Sequence, residues 1–494
     1  MSTSLSTAST KQESSGALVR RNPAALAAER EMDGATDYPS WRDAALRRDS
    51  ALGLDAWRAR EESRRYDWQA VRDRVNTLRR HRAANDAAGL MNSLNEGIHG
   101  NISGIGNAQL YRKATFGTKD LIVEYVELVA DCMEYIAACP NADVSDEVKS
   151  EFFERANTCF GTTALMLSGS GTLFFFHLGV VRALLKADLL PRVISGSSGG
   201  AVVSGVIGTR PRDEALHVLS SETFHHFVRR PGEKKETSLR TYAAKHRDTI
   251  VAELLPNDLT FREAQEKSGL DINVSVAPAD VHQTSRLLNA ITSPTVFVRD
   301  AVLASAALPG AFPPVTLQSR GADGKRQPFL PRLSWVDGSL SDDLPARRLA
   351  RLYRVNHFVV SQVNPHVVPF ITEAKINHDL FSVIRRTTQR TIRELITGSI
   401  GLVQRPVTAN NKLAYRLNGF ISVLNQDYLG NVNIMPPRRL ANPLRLLSYR
   451  SEHEAQELID AGERATWPKL EMIRIQTLIG RTLDRILRAR GAAG

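Results

Sequence analysis

Two short Gly-rich segments, Ser168-Gly169-Ser170-Gly171-Thr172 and Gly196-Ser197-Ser198-Gly199-Gly200, each follow an apolar run and precede a stretch of helical periodicity. Such a strand, tight turn and helix, repeated within about thirty residues, commits this part of the chain to parallel strands joined by a right-handed crossover. Both turns then emerge at the same carboxyl edge of neighbouring strands, where open α/β sheets build their sites. In Gly-x-Ser-x-Gly, small flanking residues let the chain make a sharp, strained strand-to-helix turn that presents the central Ser. Ser198, between Gly196 and Gly200, is therefore a candidate nucleophile. The earlier loop is a candidate source of backbone N–H groups for the oxyanion of a tetrahedral intermediate, because glycines let backbone approach substrate closely. Together the two loops suggest a serine ester hydrolase.

The remainder of the 494-residue chain divides by periodicity. Residues 1–36, rich in Ser, Thr, Ala, Glu and Arg with no apolar signal-like run, read as a disordered tail compatible with the cytoplasm. From 37 to 160 the pattern is helical: Trp41, Ala45, Trp57, Tyr66, Trp68, Val71, Val75 and Leu78 recur mostly every three or four residues. One helix is expected over Lys119–Ala138, and another from Ser145, as N-cap, to Cys159. The period changes at Thr163. Ala164–Leu167 and Arg192–Ser195 are strand candidates, followed by helices over Phe175–Ala187 and from Gly200 to Gly208; later strands are expected at Ile272–Val276, Ser334–Val336 and His357–Gln362. Residues 371–494 read as a mainly helical region with Pro-containing stretches near Arg405 and Met435–Pro443.

Charge and composition narrow the functions. The net charge of +11 is concentrated after Ile371, where 19 Lys and Arg face 11 Asp and Glu. No zinc-finger spacing, RNP-type aromatic motif or long basic block accompanies it, so nucleic acid is not an expected partner. The longest apolar stretch, Leu173–Leu185, is broken by His177 and Arg182 and falls short of the roughly 20 residues of a spanning helix. Cys132, Cys139 and Cys159 lack metal-ligand spacing and read as buried free thiols in a reducing compartment. Gly169-x-Gly171 has Phe174 where a dinucleotide fingerprint needs its third Gly, and no phosphate-loop Lys follows.

A serine nucleophile needs a base, and the residues offer two. An α/β-hydrolase triad would draw on a histidine after Ser198, with His357, His366, His378 and His453 available. A Ser–Asp dyad would use Asp337 of Trp335-Val336-Asp337-Gly338, with Gly338 turning the chain so that the carboxylate faces the sheet edge. Desolvation would raise the pKa of that carboxylate and make it a better proton acceptor. His177 reads as a packing or hydrogen-bonded residue, and Asp342 and Asp343 as solvated or capping groups before Pro345.

These residues resemble the patatin-like lipases, and more closely their triacylglycerol lipase branch, in which a helical N-terminal domain precedes the patatin domain. The resemblance rests on Ile194–Gly200, Ala304-Ser305-Ala306-Ala307-Leu308-Pro309-Gly310, Trp335–Ser339 continuing to Asp343-Leu344-Pro345, and Ser361-Gln362-Val363-Asn364-Pro365-His366. Trp41, Trp57, Tyr66-Asp67 and Gly117-Thr118-Lys119 look like the branch's accessory domain. It implies a patatin-like three-layer α/β sandwich with a mainly parallel sheet, a catalytic domain over 161–370, and a Ser198–Asp337 dyad with no metal and no cofactor. It also implies lipid ester substrates, triacylglycerol or phospholipid, met at a membrane or lipid-droplet surface. Patatins usually carry an Asp-Gly-Gly-Gly type loop, whereas Gly169 and Gly171 here alternate with serines. The donors are backbone groups, so Gly169, Ser170 and Gly171 are expected to form the oxyanion hole nonetheless.

At the carboxyl end, Met472, Ile475, Ile479, Leu483 and Ile486 fall on one helical stripe, opposite Arg474, Arg481, Arg485 and Arg488. Such a basic amphipathic helix either docks its apolar face on the patatin core or inserts it into anionic lipid.

Overall fold

The computed structural model describes residues 22–95, 98–220, 222–224, 228–229, 251–280, 284–309, 312–340, 342–363, 430–437 and 450–491. His366, His378 and the stretch near Arg405 lie outside the described residues, as does most of the region expected to be helical after 371. The chain forms two compact units, one of residues up to Thr162 together with Thr466–Gly494, the other Thr163–Ala465.

The first unit is helical: α1 (Pro23–Gly34), α2 (Tyr38–Ala51), α3 (Leu54–Ala59), α4 (Trp68–Ala83), α5 (Ala87–Asn95), α6 (Asp120–Ala138) and α7 (Asp146–Phe160). The expectation of disorder through residue 36 is corrected by α1. Asn22 caps that helix by accepting from the N–H groups of Ala24 and Ala25, Pro23 presets its first turn, and Ala25 and Ala28 are buried. Asp67 and Ser145 cap α4 and α7 in the same way. Val71, Val75 and Leu78 of α4 share one core with Leu121, Ile122, Tyr125, Val126 and Val129 of α6 and Phe152 and Phe153 of α7. Lys119 explains why Trp57 and the Gly117-Thr118-Lys119 segment occur together. Its ammonium donates to the carbonyls of Trp57 and Arg60 at 2.7 and 2.6 Å and lies 4.7 Å from the Trp57 ring centroid. Cys132 and Cys139 are buried as expected, but Cys159 is exposed, because it lies on the outward face of α7.

The long helix Glu452–Gly491 completes this core. Of its expected apolar stripe, Ile475, Ile479, Leu483 and Ile486 are buried among residues of α4–α7. On the polar side Arg474 pairs with Glu127 and Glu471, Arg485 with Glu134 and Arg490 with Asp146. Burial of each large aliphatic side chain contributes about 1.5–3 kcal/mol, so a membrane would have to replace the whole of that contact to extract the stripe. Among the described residues no helix is long and apolar enough to cross a membrane.

The second unit is an α/β structure with a seven-stranded sheet: β1 (Thr162–Leu167), β2 (Val193–Gly196), β3 (Asp271–Pro278), β4 (Arg286–Leu288), β5 (Trp335–Asp337), β6 (Val355–Ser361) and β7 (Val432–Ile434). The order is β7-β6-β1-β2-β3-β4, with β5 also on β3. The pairs β6–β7, β1–β2 and β2–β3 are parallel, while β4 and β5 run antiparallel to β3. Among the helices that pack on it are α8 (Phe174–Lys186), α9 (Gly199–Gly208), α10 (Val298–Ser305) and α11 (Ala346–Tyr353). Ala164, Met166 and Val193 pack with Leu349 of α11 on one face. Ile272, on the other, lies so close to α9 that a Cβ on Gly208 would collide with it. Helices therefore cover both faces, and the expected mixed fold with a mainly parallel sheet is the one observed.

Candidate active site

Strand register sets the site. Leu167 of β1 lies opposite Gly196 of β2, so the two Gly-rich loops leave the sheet side by side, and the Ser197 N–H donates to the Leu167 carbonyl at 3.2 Å. Strand β3 receives β2 along Asp271–Val274 and β5 along Val276–Pro278, while β4 occupies its opposite edge. Thus β2 and β5 meet end to end along one edge of β3. Gly196 pairs with Val274 and Asp337 with Val276, which brings the residue just beyond β2 to the last residue of β5. Gly338 is required there, because a Cβ would collide with the Ser275 carbonyl of β3.

Ser198 stands at the head of α9 with φ 52° and ψ −121°, a left-handed backbone that costs a non-glycine residue about 1–3 kcal/mol. Neighbouring contacts hold it. The Ser198 N–H donates to Ser305 Oγ at 3.0 Å, and Ser305 Oγ donates onward to the Ser275 carbonyl at 2.7 Å. Side chains are excluded on either side: a Cβ on Gly196 would strike the Gly200 carbonyl, and one on Gly200 the Leu167 carbonyl. Ser198 is half-buried, whereas Asp337 is 1% exposed and close enough to the Ser198 side chain to feel it. Burial raises the Asp337 pKa above the usual carboxylate range, while a hydrogen bond from the Ser339 N–H, at 2.9 Å, and the nearby Ser198 side chain pull it part of the way back.

The first loop abuts the second. A Cβ on Gly199 would run into Ser170 Oγ, and Gly171 takes φ 49°. Ser168 is pinned at three atoms: its N–H donates to the Ser361 carbonyl (3.1 Å), its Oγ accepts from the Val363 N–H (3.0 Å), and its carbonyl accepts from His177 Nε2 (3.0 Å). That last bond fixes the tautomer, because a carbonyl cannot donate; His177 Nδ1 then accepts from Ser361 Oγ at 2.7 Å. Within the first loop, the Gly169 N–H is not open to substrate. It donates to Asp343 Oδ1 at 2.6 Å.

His177 is fully buried, and desolvation lowers its pKa from 6.5 to about 4. Between those values the unfolded chain binds a proton that the folded chain refuses, so the stability held by neutral His177 is complete above 6.5 and is lost as pH falls toward 4. The stability advantage of the wild type over His177→Gln is expected to shrink by about 3 kcal/mol across that window. Urea unfolding at pH 7 and pH 4 measures it; a constant advantage would show that His177 titrates normally.

Of the histidines weighed as triad members, His357 bonds Thr163 Oγ1 at 3.2 Å, at the end of β1 away from Ser198, and His453 is exposed. The sequence did not single out Ser305, Ser361 or Asp343 for this site. Ser305, Ser361 and Asp343 all lie in the segments quoted for the family resemblance, which is the one sign that could have flagged them.

Residues 165–350 match the model of the patatin-like phospholipases, and residues 19–158 that of a domain of unknown function, DUF3336. The chain thus carries a patatin-like phospholipase domain over residues 165–350. A patatin-like phospholipase domain-containing protein of Coccidioides immitis is 33% identical over 482 residues, covering 92% of this chain and 65% of its own. Triacylglycerol lipase 4 of Saccharomyces cerevisiae is 32% identical over 474 residues, covering 89% of this chain and 50% of its own. The chain thus spans between half and two thirds of the length of these curated relatives. VipD from Legionella pneumophila overlays with a TM-score of 0.28 at 14% identity over 61% of this chain and 67% of its own, a likeness that carries no weight. Within the patatin-like domain, Ser198, Asp337 and the Ser168–Thr172 loop come together at one sheet edge.

Proposed function

We propose that this patatin-like chain hydrolyses lipid acyl esters through a Ser198–Asp337 dyad. The placement of the half-buried Ser198, on its strained elbow, beside the buried Asp337 at adjoining strand ends carries the reading. Ser198 Oγ attacks the ester carbonyl carbon as its proton passes to the Asp337 carboxylate. The tetrahedral oxyanion is held by loop N–H groups and by the positive end of α9. Collapse expels the alcohol, which takes the proton from Asp337 and leaves the acyl group on Ser198. Water then attacks, giving its proton to Asp337; collapse returns that proton to Ser198 and releases the fatty acid.

Of the three donors expected from sequence, Ser170 and Gly171 fit this reading, and Gly169 serves instead to anchor the loop. The names of the relatives favour triacylglycerol or phospholipid as substrate, and both are met at a lipid surface, such as a membrane or a droplet, consistent with a peripheral protein of the cytoplasm. Fatty acid release from triacylglycerol, diacylglycerol and phosphatidylcholine emulsions, with Ser198→Ala as blank, tests the proposal. The expected result is release from at least one lipid that the blank lacks; equal release by the blank from all of them would refute it.

A further inference from the structure

We infer that Asp343 is a positioning residue of this site, holding the oxyanion loop by the Gly169 N–H so that the N–H groups of Ser170 and Gly171 are the ones presented to substrate. This rests on the reading of Ser198 as nucleophile. Asp343 is fully buried, and its two polar ends serve different loops. Its carboxylate accepts from the Gly169 N–H at 2.6 Å, and its backbone carbonyl accepts from Ser197 Oγ at 3.1 Å. It lies in the turn that follows Asp337, so one short segment connects the base, the elbow and the oxyanion loop. The same turn closes on the loop from behind: a Cβ on Gly169 would lie 2.7 Å from Ser339 Cβ.

The chemistry of a carboxylate decides how Asp343 acts. Facing a developing oxyanion it would repel it, so a productive Asp343 works through the peptide it holds and not on the substrate. With Ser168 fixed at its N–H, Oγ and carbonyl and Gly169 fixed at its N–H, the peptides at the loop's start are set, and the next two N–H groups follow from them. Asp342 behaves differently. It is half-buried and pairs with Arg348 at 3.1 Å, away from the loop.

The test uses Asp343→Asn, which keeps a side-chain acceptor, and Asp343→Leu, which keeps the volume without one. A soluble nitrophenyl ester gives kcat and KM, and an alkyl trifluoromethyl ketone, which adds to the nucleophile as a tetrahedral oxyanion, gives affinity for the charged state. Asp343→Asn is expected to stay within about threefold of wild type in all three. Asp343→Leu is expected to lose about ten- to a thousandfold in kcat and in ketone affinity together, with KM within about twofold. Wild-type kcat in the Leu variant, or a fall in kcat without a parallel fall in ketone affinity, would overturn the inference. If the Leu variant fails to fold, the Asn variant decides: losing tenfold or more in both quantities, it would show that holding the N–H is not what Asp343 does. Turnover retained by Ser198→Ala would instead sink the nucleophile reading, so the two failures are distinguishable.

Discussion

Replacing Ser198 by Ala is expected to reduce ester turnover by about a thousandfold or more while leaving the thermal unfolding midpoint close to that of the wild type. The asymmetry follows from what the residue does. Its hydroxyl faces Asp337, but the turn itself is held by the bond from its backbone N–H to Ser305 and by glycines at 196 and 200 that no side chain could replace. Removing Oγ therefore takes away the attacking atom and leaves the elbow's supports in place. Stopped assays on a soluble nitrophenyl ester, beside circular-dichroism melting, separate loss of chemistry from loss of fold. Turnover within tenfold of wild type in a folded Ser198→Ala protein would place the nucleophile elsewhere.

Asp337→Asn is expected to be nearly as severe, with kcat lower by about a hundred- to ten-thousandfold, the range for losing a positioned general base. Asn keeps the shape and can still accept from the Ser339 N–H, so the change removes basicity more than structure. The pH profile supplies a second signature. Burial raises the Asp337 pKa, and the carboxyl must be ionised to accept the Ser198 proton, so wild-type kcat/KM falls on acidification at a pH above the usual carboxylate range. In Asp337→Asn that acid limb is expected to vanish from the residual activity. His453→Ala, which alters an exposed residue, is the matching control and is expected to leave the profile unchanged.

What the sequence reveals of this site divides along a physical line. The two Gly-rich loops and the Asp337 strand were legible because each is a local signal, a short apolar run ending in residues chosen for turn geometry. Their meeting was legible too, since parallel strands joined by a crossover leave few other placements. Asp343 was not, because its partner Gly169 lies 174 residues away in the chain and an acidic residue before Pro345 looks like any solvated turn. Ser305, 107 residues from Ser198, was hidden for the same reason. The carboxyl-terminal stripe shows a different limit. A helix buries an apolar face with the same period whether it meets a protein core or a lipid surface, so only the packing of Ile475, Ile479, Leu483 and Ile486 with α4–α7 distinguishes them. Residues 23–34 look disordered by composition, yet Asn22, Pro23 and two buried alanines suffice to cap and seat a helix.

The dyad itself is tested most directly by the rate at which a fluorophosphonate probe attaches to the protein, with the adduct mapped by peptide mass spectrometry. A single adduct on Ser198 is expected, formed more slowly as pH falls through the raised pKa of Asp337 and slowed about a hundredfold or more in Asp337→Asn. An adduct on another residue, or a rate on Ser198 that Asp337→Asn leaves unchanged, would contradict it.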